Sequence, residues 1–345
     1  KNTAQSVALT KTGSGTLPLS GTNTFAGDTT ESNGTLLVNG TNANSTVTVN
    51  SGAILGGTGS VGPIVGNSGT VRPGSSGTKG ILGGTTGNFS GGTSSKLSVR
   101  AAAFTTAGTD FDRLNLSGAL TLGGSSQLDL DMTGIASAGM ASGIVLASSI
   151  SGTFGSVVPS NYTGSLGFNV VYGGTSINLV VNNQAPGFTK GADQTVAEDA
   201  GAQTVAGWAT SIDKGSAYES SQTVSFVATN NNNSLFSVQP SISSTGNLTY
   251  TPAANANGSA TVTVRMHDNG GTANSGVDSS AAQTFAITVS SVNDASTFTS
   301  SGVTTGTENA VYTYSITTSD AEGNARTITA PTKPAWLTIT DNGDG

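Results

Sequence analysis

A short phrase recurs early in this chain at a pitch too brief for a self-contained globular unit. Thr16-Leu-Pro-Leu-Ser-Gly-Thr22 returns nineteen residues later as Thr35-Leu-Leu-Val-Asn-Gly-Thr41, and Ser45-Thr-Val-Thr-Val-Asn-Ser-Gly52 and Gly69-Thr-Val-Arg-Pro-Gly74 follow. Each copy reads as a strand and a turn. A unit of roughly 20 residues cannot bury its own apolar face, so it must stack on its neighbours and share one continuous core. The expected fold is all-β, beginning with a parallel β-helix, or solenoid.

The spelling of the repeat also resembles a family. Leu9-Thr-Lys-Thr-Gly-Ser-Gly-Thr-Leu-Pro-Leu-Ser-Gly-Thr-Asn-Thr-Phe-Ala-Gly-Asp-Thr-Thr30 with Gly34-Thr-Leu-Leu-Val-Asn-Gly40 is similar to the passenger-associated repeat of bacterial autotransporters and related giant surface proteins. The resemblance implies a solenoid displayed outside a bacterial cell.

Composition agrees with strands and turns. Of 345 residues 49 are glycine, while charged residues are 9% and aromatics 6%, which leaves little material for helix. Cysteine is absent, which excludes disulfides and cysteine-ligated metal. The net charge of -7 is uneven: residues 1–181 carry six acidic and seven basic side chains, residues 182–345 thirteen and five. An acidic second half without a basic cluster argues against nucleic acid as a partner. No apolar run reaches the 18 residues that a membrane span needs. The first residues, Lys1-Asn-Thr-Ala-Gln-Ser6, lack the apolar core of a signal peptide, so the start reads as processed or excised. Asn33 and Asn39 open glycosylation triplets of the kind that a chain rich in Asn, Ser and Thr contains by chance.

Further along, Asp112-Arg-Leu-Asn-Leu-Ser-Gly-Ala-Leu-Thr-Leu-Gly123 and Gln127-Leu-Asp-Leu-Asp-Met132 alternate strictly, with Leu inward and polar side chains outward. The last rungs, through Ser176-Ile-Asn-Leu-Val-Val181, need a closing segment, because an open edge would recruit other chains. The expected domains are therefore a solenoid over 1–181, a Pro/Gly linker over 182–187, a sandwich over 188–295, and an incomplete module over 296–345. About seven alternating strands in the 188–295 stretch are the count of an immunoglobulin-like sandwich. That stretch resembles the cadherin-like tandem repeats of large bacterial adhesins, which end in a signature matched by Val292-Asn-Asp-Ala295. Ser296 to Gly345 resembles the first part of a second such module, so the chain reads as a piece of something longer, or as one completed by strands from another molecule.

The cadherin-like resemblance implies calcium between modules, held by a Glu near the start of one module, an Asn-Asp pair in the linker and an acidic pair in the next. Glu198, Asn293-Asp294, and Asp320 with Glu322 take those places, and Asp199, Asp268, Glu308 and Asn324 complete the oxygen-bearing constellation. Ca²⁺ takes six to eight such ligands. Two positions depart from the pattern: Ser291 stands where an acid is usual, and the second acid of the last pair is Glu322. The plainer alternative makes Asn293-Asp294 a turn and the remaining acids solvated loop residues.

Catalysis has thin material. Asp129 and Asp131 share a strand face in the manner of the acid pair of a glycoside hydrolase, but a solvated face opposite Leu128 and Leu130 explains them more simply. Gly57-Thr-Gly-Ser-Val-Gly62 spells a dinucleotide fingerprint with no helix to follow. His267 is the single histidine, next to Asp268, and no nucleophile elbow accompanies it. Trp208 and Trp336 are expected in cores. The sequence thus predicts no catalytic residues and an extracellular stalk, fibre or matrix component at the bacterial surface. Its expected partners are copies of itself, surface or matrix components, and glycans. The alternatives are a filament subunit joined by strand addition and a polysaccharide-acting β-helix enzyme.

Overall fold

A computed structural model of the chain describes residues 6–341, so the first five residues of the segment read as processed or excised lie outside it. The described residues contain no α-helix, only three one-turn 3-10 helices, and no helix long and apolar enough to cross a membrane. Contacts divide the chain into two units. The first holds the chain through Pro186 with Asp213–Thr223 and Asp268–Ser279; the second holds Gly187–Ile212, Val224–His267 and the chain from Ser280 onward.

The first unit is a solenoid of seven rungs. They are β1 (Leu9–Lys11) and β2 (Thr16–Leu19); β3 (Thr29–Glu31), β4 (Gly34–Val38) and β5 (Thr41–Asn42); β6 (Val47–Asn50), β7 (Ala53–Gly57) and β8 (Ser60–Val61). Then come β9 (Ile64–Asn67), β10 (Thr70–Pro73) and β11 (Ile81–Gly84); β12 (Gly87–Gly91), β13 (Lys96–Arg100) and β14 (Arg113–Leu116); β15 (Ala119–Leu122), β16 (Gln127–Asp131) and β17 (Gly139–Leu146). The last rung has β18 (Ser149–Ser151) and β19 (Ser156–Ser160), with the hairpin β20 (Gly167–Tyr172) and β21 (Ser176–Asn182). First strands of each rung stack in parallel as one sheet, second strands as another, and third strands as a third.

Register explains why this sequence stacks. Leu17, Leu36, Leu55, Val71, Leu97, Leu128 and Val157 face one another down the second sheet. From Leu36 to Leu128 each is fully buried. A buried Leu contributes about 1.5–3 kcal/mol over an exposed one, so this column alone outweighs any surface ion pair of the unit. The rung length follows the repeat at first and then grows: first-sheet strands begin at Leu9, Thr29, Val47, Ile64, Gly87, Ala119 and Ser149. The excess is carried by corner loops, which lie outside the stacked strands.

The closing segment forms as an antiparallel hairpin. β21 pairs antiparallel with both β17 and β20, ending the parallel run of the third sheet. A second closure was not visible in sequence. Tyr218, in a one-turn helix far along the chain, stacks edge-on with Tyr162 at 4.9 Å and against Phe168 at 5.6 Å. Buried Glu219 beside it accepts hydrogen bonds from the backbone N–H of Gly167 and Gln184, at 3.1 and 2.8 Å. The stretch expected as a linker is likewise fixed at its start: buried Asn183 donates to the Asp268 carboxylate at 2.7 Å and to the Val277 carbonyl at 2.8 Å.

In the second unit, β22 (Gly187–Thr189) pairs with β25 (Thr210–Asp213). β23 (Gln194–Ala197), β24 (Gln203–Val205), β26 (Val224–Asn230), β27 (Phe236–Ile242), β28 (Leu248–Pro252), β29 (Gly258–Asp268) and β30 (Gln283–Ser290) make one four-stranded and one three-stranded sheet. Their core includes Trp208, Phe236, Leu248, Tyr250, Val262, Val264, Phe285 and Ile287. Beyond it, the described residues show only β31 (Thr297–Phe298) paired with β32 (Thr318–Ser319). No residue there joins either buried cluster, which is why Trp336 is 75% exposed and not the core aromatic expected of it.

Candidate functional site

The strongest concentration of oxygen ligands lies in the second unit, where β23 ends. β23 runs parallel to β30, and the Glu198 N–H donates to the Ser290 carbonyl at 2.9 Å. This seats the Glu198 carboxylate inside, 3% exposed, where it accepts from the Val292 N–H at 2.7 Å and the Asn257 amide at 3.4 Å. Asp199 follows with φ +59°, a left-handed conformation that Asp tolerates, and accepts from the Asn255 N–H at 3.3 Å.

The Asn-Asp pair and the acids after it meet the same place. The Asp294 N–H donates to Glu322 at 2.9 Å, and the Asn324 amide donates to Asn293 Oδ1 at 2.8 Å. Asp320 accepts from the Ser296 hydroxyl at 2.7 Å and from the N–H groups of Glu322 and Asn324, at 3.2 and 3.1 Å. Those donors hold the Asp320 carboxyl below the usual carboxylate range, led by Ser296. The Asp294 carboxyl is pushed up, by desolvation and then by the charges of Glu322, Asp199, Glu198 and Asp320.

Four carboxylates act on Asp294, and three of them, Glu198, Asp320 and Glu322, hold implied positions; Asn293 joins through Asn324. Two candidates do not. Asp268 ends β29, about 33 Å of extended strand from Gly258 at its start, and is committed to Asn183 and the Gly270 N–H. Glu308 is exposed and is not among the charges acting on Asp294. Asn257 and Ser296 are the participants that sequence reasoning missed, because each enters through a contact with a residue distant in sequence.

The group suits a hard cation in chemistry, since raised Asp294 is an anion facing uncompensated negative charge. Much of its ligand capacity is engaged by the protein's own N–H and O–H groups. Among the described residues no group of three or more His, Asp or Glu side chains already stands in a metal-holding arrangement.

On the solenoid, Asp129 and Asp131 project from the outer face of β16. Asp129 accepts from the Gln127 amide and lies 3.9 Å from the Lys96 ammonium. Asp131 accepts from Thr133 Oγ1 at 2.6 Å and the Asn161 amide at 3.1 Å, and these bonds outweigh desolvation and hold its carboxyl below the usual range. A general acid of a glycosidase requires the opposite shift. The fingerprint at Gly57–Gly62 spans the corner from β7 to β8, with no helix after it. His267 lies next to last in β29, and Trp208 is buried, donating to the Ala192 carbonyl at 3.0 Å.

Comparison with known proteins adds one match. No curated protein matches the chain. Residues 9–38, which form the first rung and most of the second, match the family model described as Passenger-associated-transport-repeat.

Proposed function

We propose that this chain is a structural component of the bacterial exterior, a solenoid stalk or matrix element followed by cadherin-like modules. The observation that carries the proposal is the coincidence of the passenger-repeat match with a stack of parallel rungs around one aliphatic core. A solenoid adds about 4.8 Å per rung from short, simple repeats, which suits a spacer more than a pocket. Parallel pairing of β23 with β30 and the four-plus-three arrangement of sheets support the cadherin-like assignment of 188–295. Within that assignment Asp294, Glu322, Asp199 and Glu198 are the residues that would hold Ca²⁺, whose chemistry here is charge compensation between segments.

The test uses cells that carry the chain. Antibody raised against residues 1–181 is expected to label intact cells, and protease added outside is expected to remove the label. Labelling that appears only after permeabilisation overturns the proposal.

A further inference from the structure

Residues 1–181 carry thirteen charged side chains, and five of them stand together on the outer face of the second sheet: Arg72, Lys96, Arg100, Asp129 and Asp131. The corresponding face of the first sheet presents Thr10, Thr30, Thr48, Val65, Asn88 and Thr121 in register, without a charge. The concentration on one face comes from the fold, since these residues are spread over sixty positions of sequence.

The charges are ordered along the stack. Arg72 lies on the fourth rung, Lys96 and Arg100 on the fifth, Asp129 and Asp131 on the sixth. Arg100 is already matched to Asp112. Lys96 leans toward the sixth rung, where Asp129 is 3.9 Å away. Arg72 is half-buried, and among the described residues no acceptor or carboxylate pairs with its guanidinium. Burial, and then the charge of Arg100, disfavour its protonated form by more than the charge of Asp112 favours it. Val71 stands opposite Leu97 and Ser98 opposite Asp129, and counting one residue on from Val71 and Leu97 along the two parallel strands sets Arg72 level with Ser98. Arg72 and Asp129 thus occupy one column, one rung on either side of Ser98.

A face with positive charge at one end and negative charge at the other is complementary to itself when one copy is reversed. A two-fold axis parallel to the strands at Ser98 keeps each column and inverts the order of rungs. It lays Arg72 of each copy on Asp129 of the other. The two Lys96 side chains lean away from that axis in opposite directions. An arrangement with both solenoids pointing the same way would set like charges face to face.

We propose that two copies of this solenoid associate side by side and antiparallel through the outer face of β10, β13 and β16, with Arg72 of each against Asp129 of the other. With the axis at the fifth rung, the third to seventh rungs of each copy overlap, and five rungs of about 4.8 Å with strands of four to five residues offer on the order of 350 Å² per copy, less than a permanent dimer buries. The association is therefore weak and salt-sensitive in solution and gains from copies held at high local concentration. It does not depend on the surface location proposed above, which would only set that concentration.

The absence of cysteine makes the test direct. Full-length Ser98→Cys, oxidised at low ionic strength, is expected to form a disulfide-linked dimer, and Thr48→Cys on the first sheet is expected to stay monomeric. In sedimentation, Arg72→Asp and Asp129→Arg are each expected to weaken self-association about tenfold or more. An equimolar mixture of the two is expected to restore it, because both opposed pairs are re-formed in the mixed dimer. Equal crosslinking of both cysteine variants, or a mixture that stays monomeric where the wild type associates, overturns the proposal. So does a wild type that is monomeric at low salt but retained on a uronate polysaccharide column through Arg72, which would assign the face to a glycan.

Discussion

The Arg100 guanidinium lies 2.7 Å from the carboxylate of Asp112, a side chain with no solvent exposure. The carboxylate also accepts from the N–H groups of Gly80 and Arg100, both at 2.9 Å, while the guanidinium donates to the carbonyls of Pro73, Ser75 and Thr78. One pair thus holds two corner loops against the rungs. Asp112→Ala leaves a largely buried cation without its counter-charge and two N–H groups without partners, and the expected loss is about 3–5 kcal/mol. Arg100→Met with Asp112→Leu is expected to cost less than Asp112→Ala alone, since no charge is stranded. Denaturant unfolding followed by far-UV circular dichroism compares them; equal stability of Asp112→Ala and wild type would show the pair to be ornamental.

What was legible in the sequence and what was not follows the range of the interactions. Leu114, Leu116, Leu120, Leu122, Leu128 and Leu130 alternate with polar residues, and all six are buried. Local period-two patterning is enough for that. It misleads at Thr29-Thr-Glu31, where Thr29 and Glu31 face inward with Thr30 outward, because register with Val47 and Val49 decides the face. The lid formed by Tyr218 and Glu219 was invisible, as its partners are Tyr162 and Gly167, more than fifty positions away. The acids around Asp294 come together through contacts such as Val292 N–H with Glu198 and Asp294 N–H with Glu322, which no local pattern fixes, and Asp268 and Glu308 are not among the charges acting on Asp294.

Glu31 supplies a pH dependence. It sits between Lys11 and Val49 in the first-sheet column, fully buried, and neither carboxylate oxygen has a hydrogen-bond partner. Burial pushes its carboxyl from 4.5 to about 8, against smaller opposing effects of the nearby Leu36 N–H, of Lys11 and of the nearby Ile54 N–H, neither N–H forming a hydrogen bond to it. The folded state keeps a proton that the unfolded chain releases, so the stability from this group is full below pH 4.5 and lost progressively up to pH 8. The slope is about 1.4 kcal/mol per pH unit and the total about 5 kcal/mol. Glu31→Gln is expected to flatten that fall, leaving the variant more stable than wild type at pH 8.5. Melting temperatures taken from pH 4 to 9 on both proteins decide it, and parallel curves would refute the assignment.

Gly21, Gly40 and Gly59 recur at intervals of nineteen residues and stack at the corner after the second strand of each rung. A methyl group on Gly59 would land on the Gly40 carbonyl oxygen, and one on Gly40 would land on that of Gly21. The corner cannot yield without separating two rungs. Gly59→Ala is expected to cost about 1–3 kcal/mol by overpacking. Gly77→Ala, where an added Cβ meets nothing within 4 Å, is expected to stay within about 0.5 kcal/mol of wild type. Thermal unfolding of the two variants side by side measures the contrast, and equal stabilities of the two would refute close stacking at this corner.

Calcium is the remaining test of the acidic group. Asp294 stands among Glu322, Asp199, Glu198 and Asp320, so a divalent cation would relieve repulsion that the protein alone leaves in place. Adding millimolar Ca²⁺ to chelator-treated full-length protein is expected to raise the unfolding temperature of the second unit, as any ligand confined to the folded state does. Asp294→Asn with Glu322→Gln is expected to remove that response and, by lowering the crowding of charge, to leave the metal-free protein no less stable. Asp268→Asn should keep the full calcium response, because Asp268 accepts from Asn183 and the Gly270 N–H and is not among the charges acting on Asp294. A calcium response that survives in the double variant but fails in Asp268→Asn would move the site, and none in wild type would remove it.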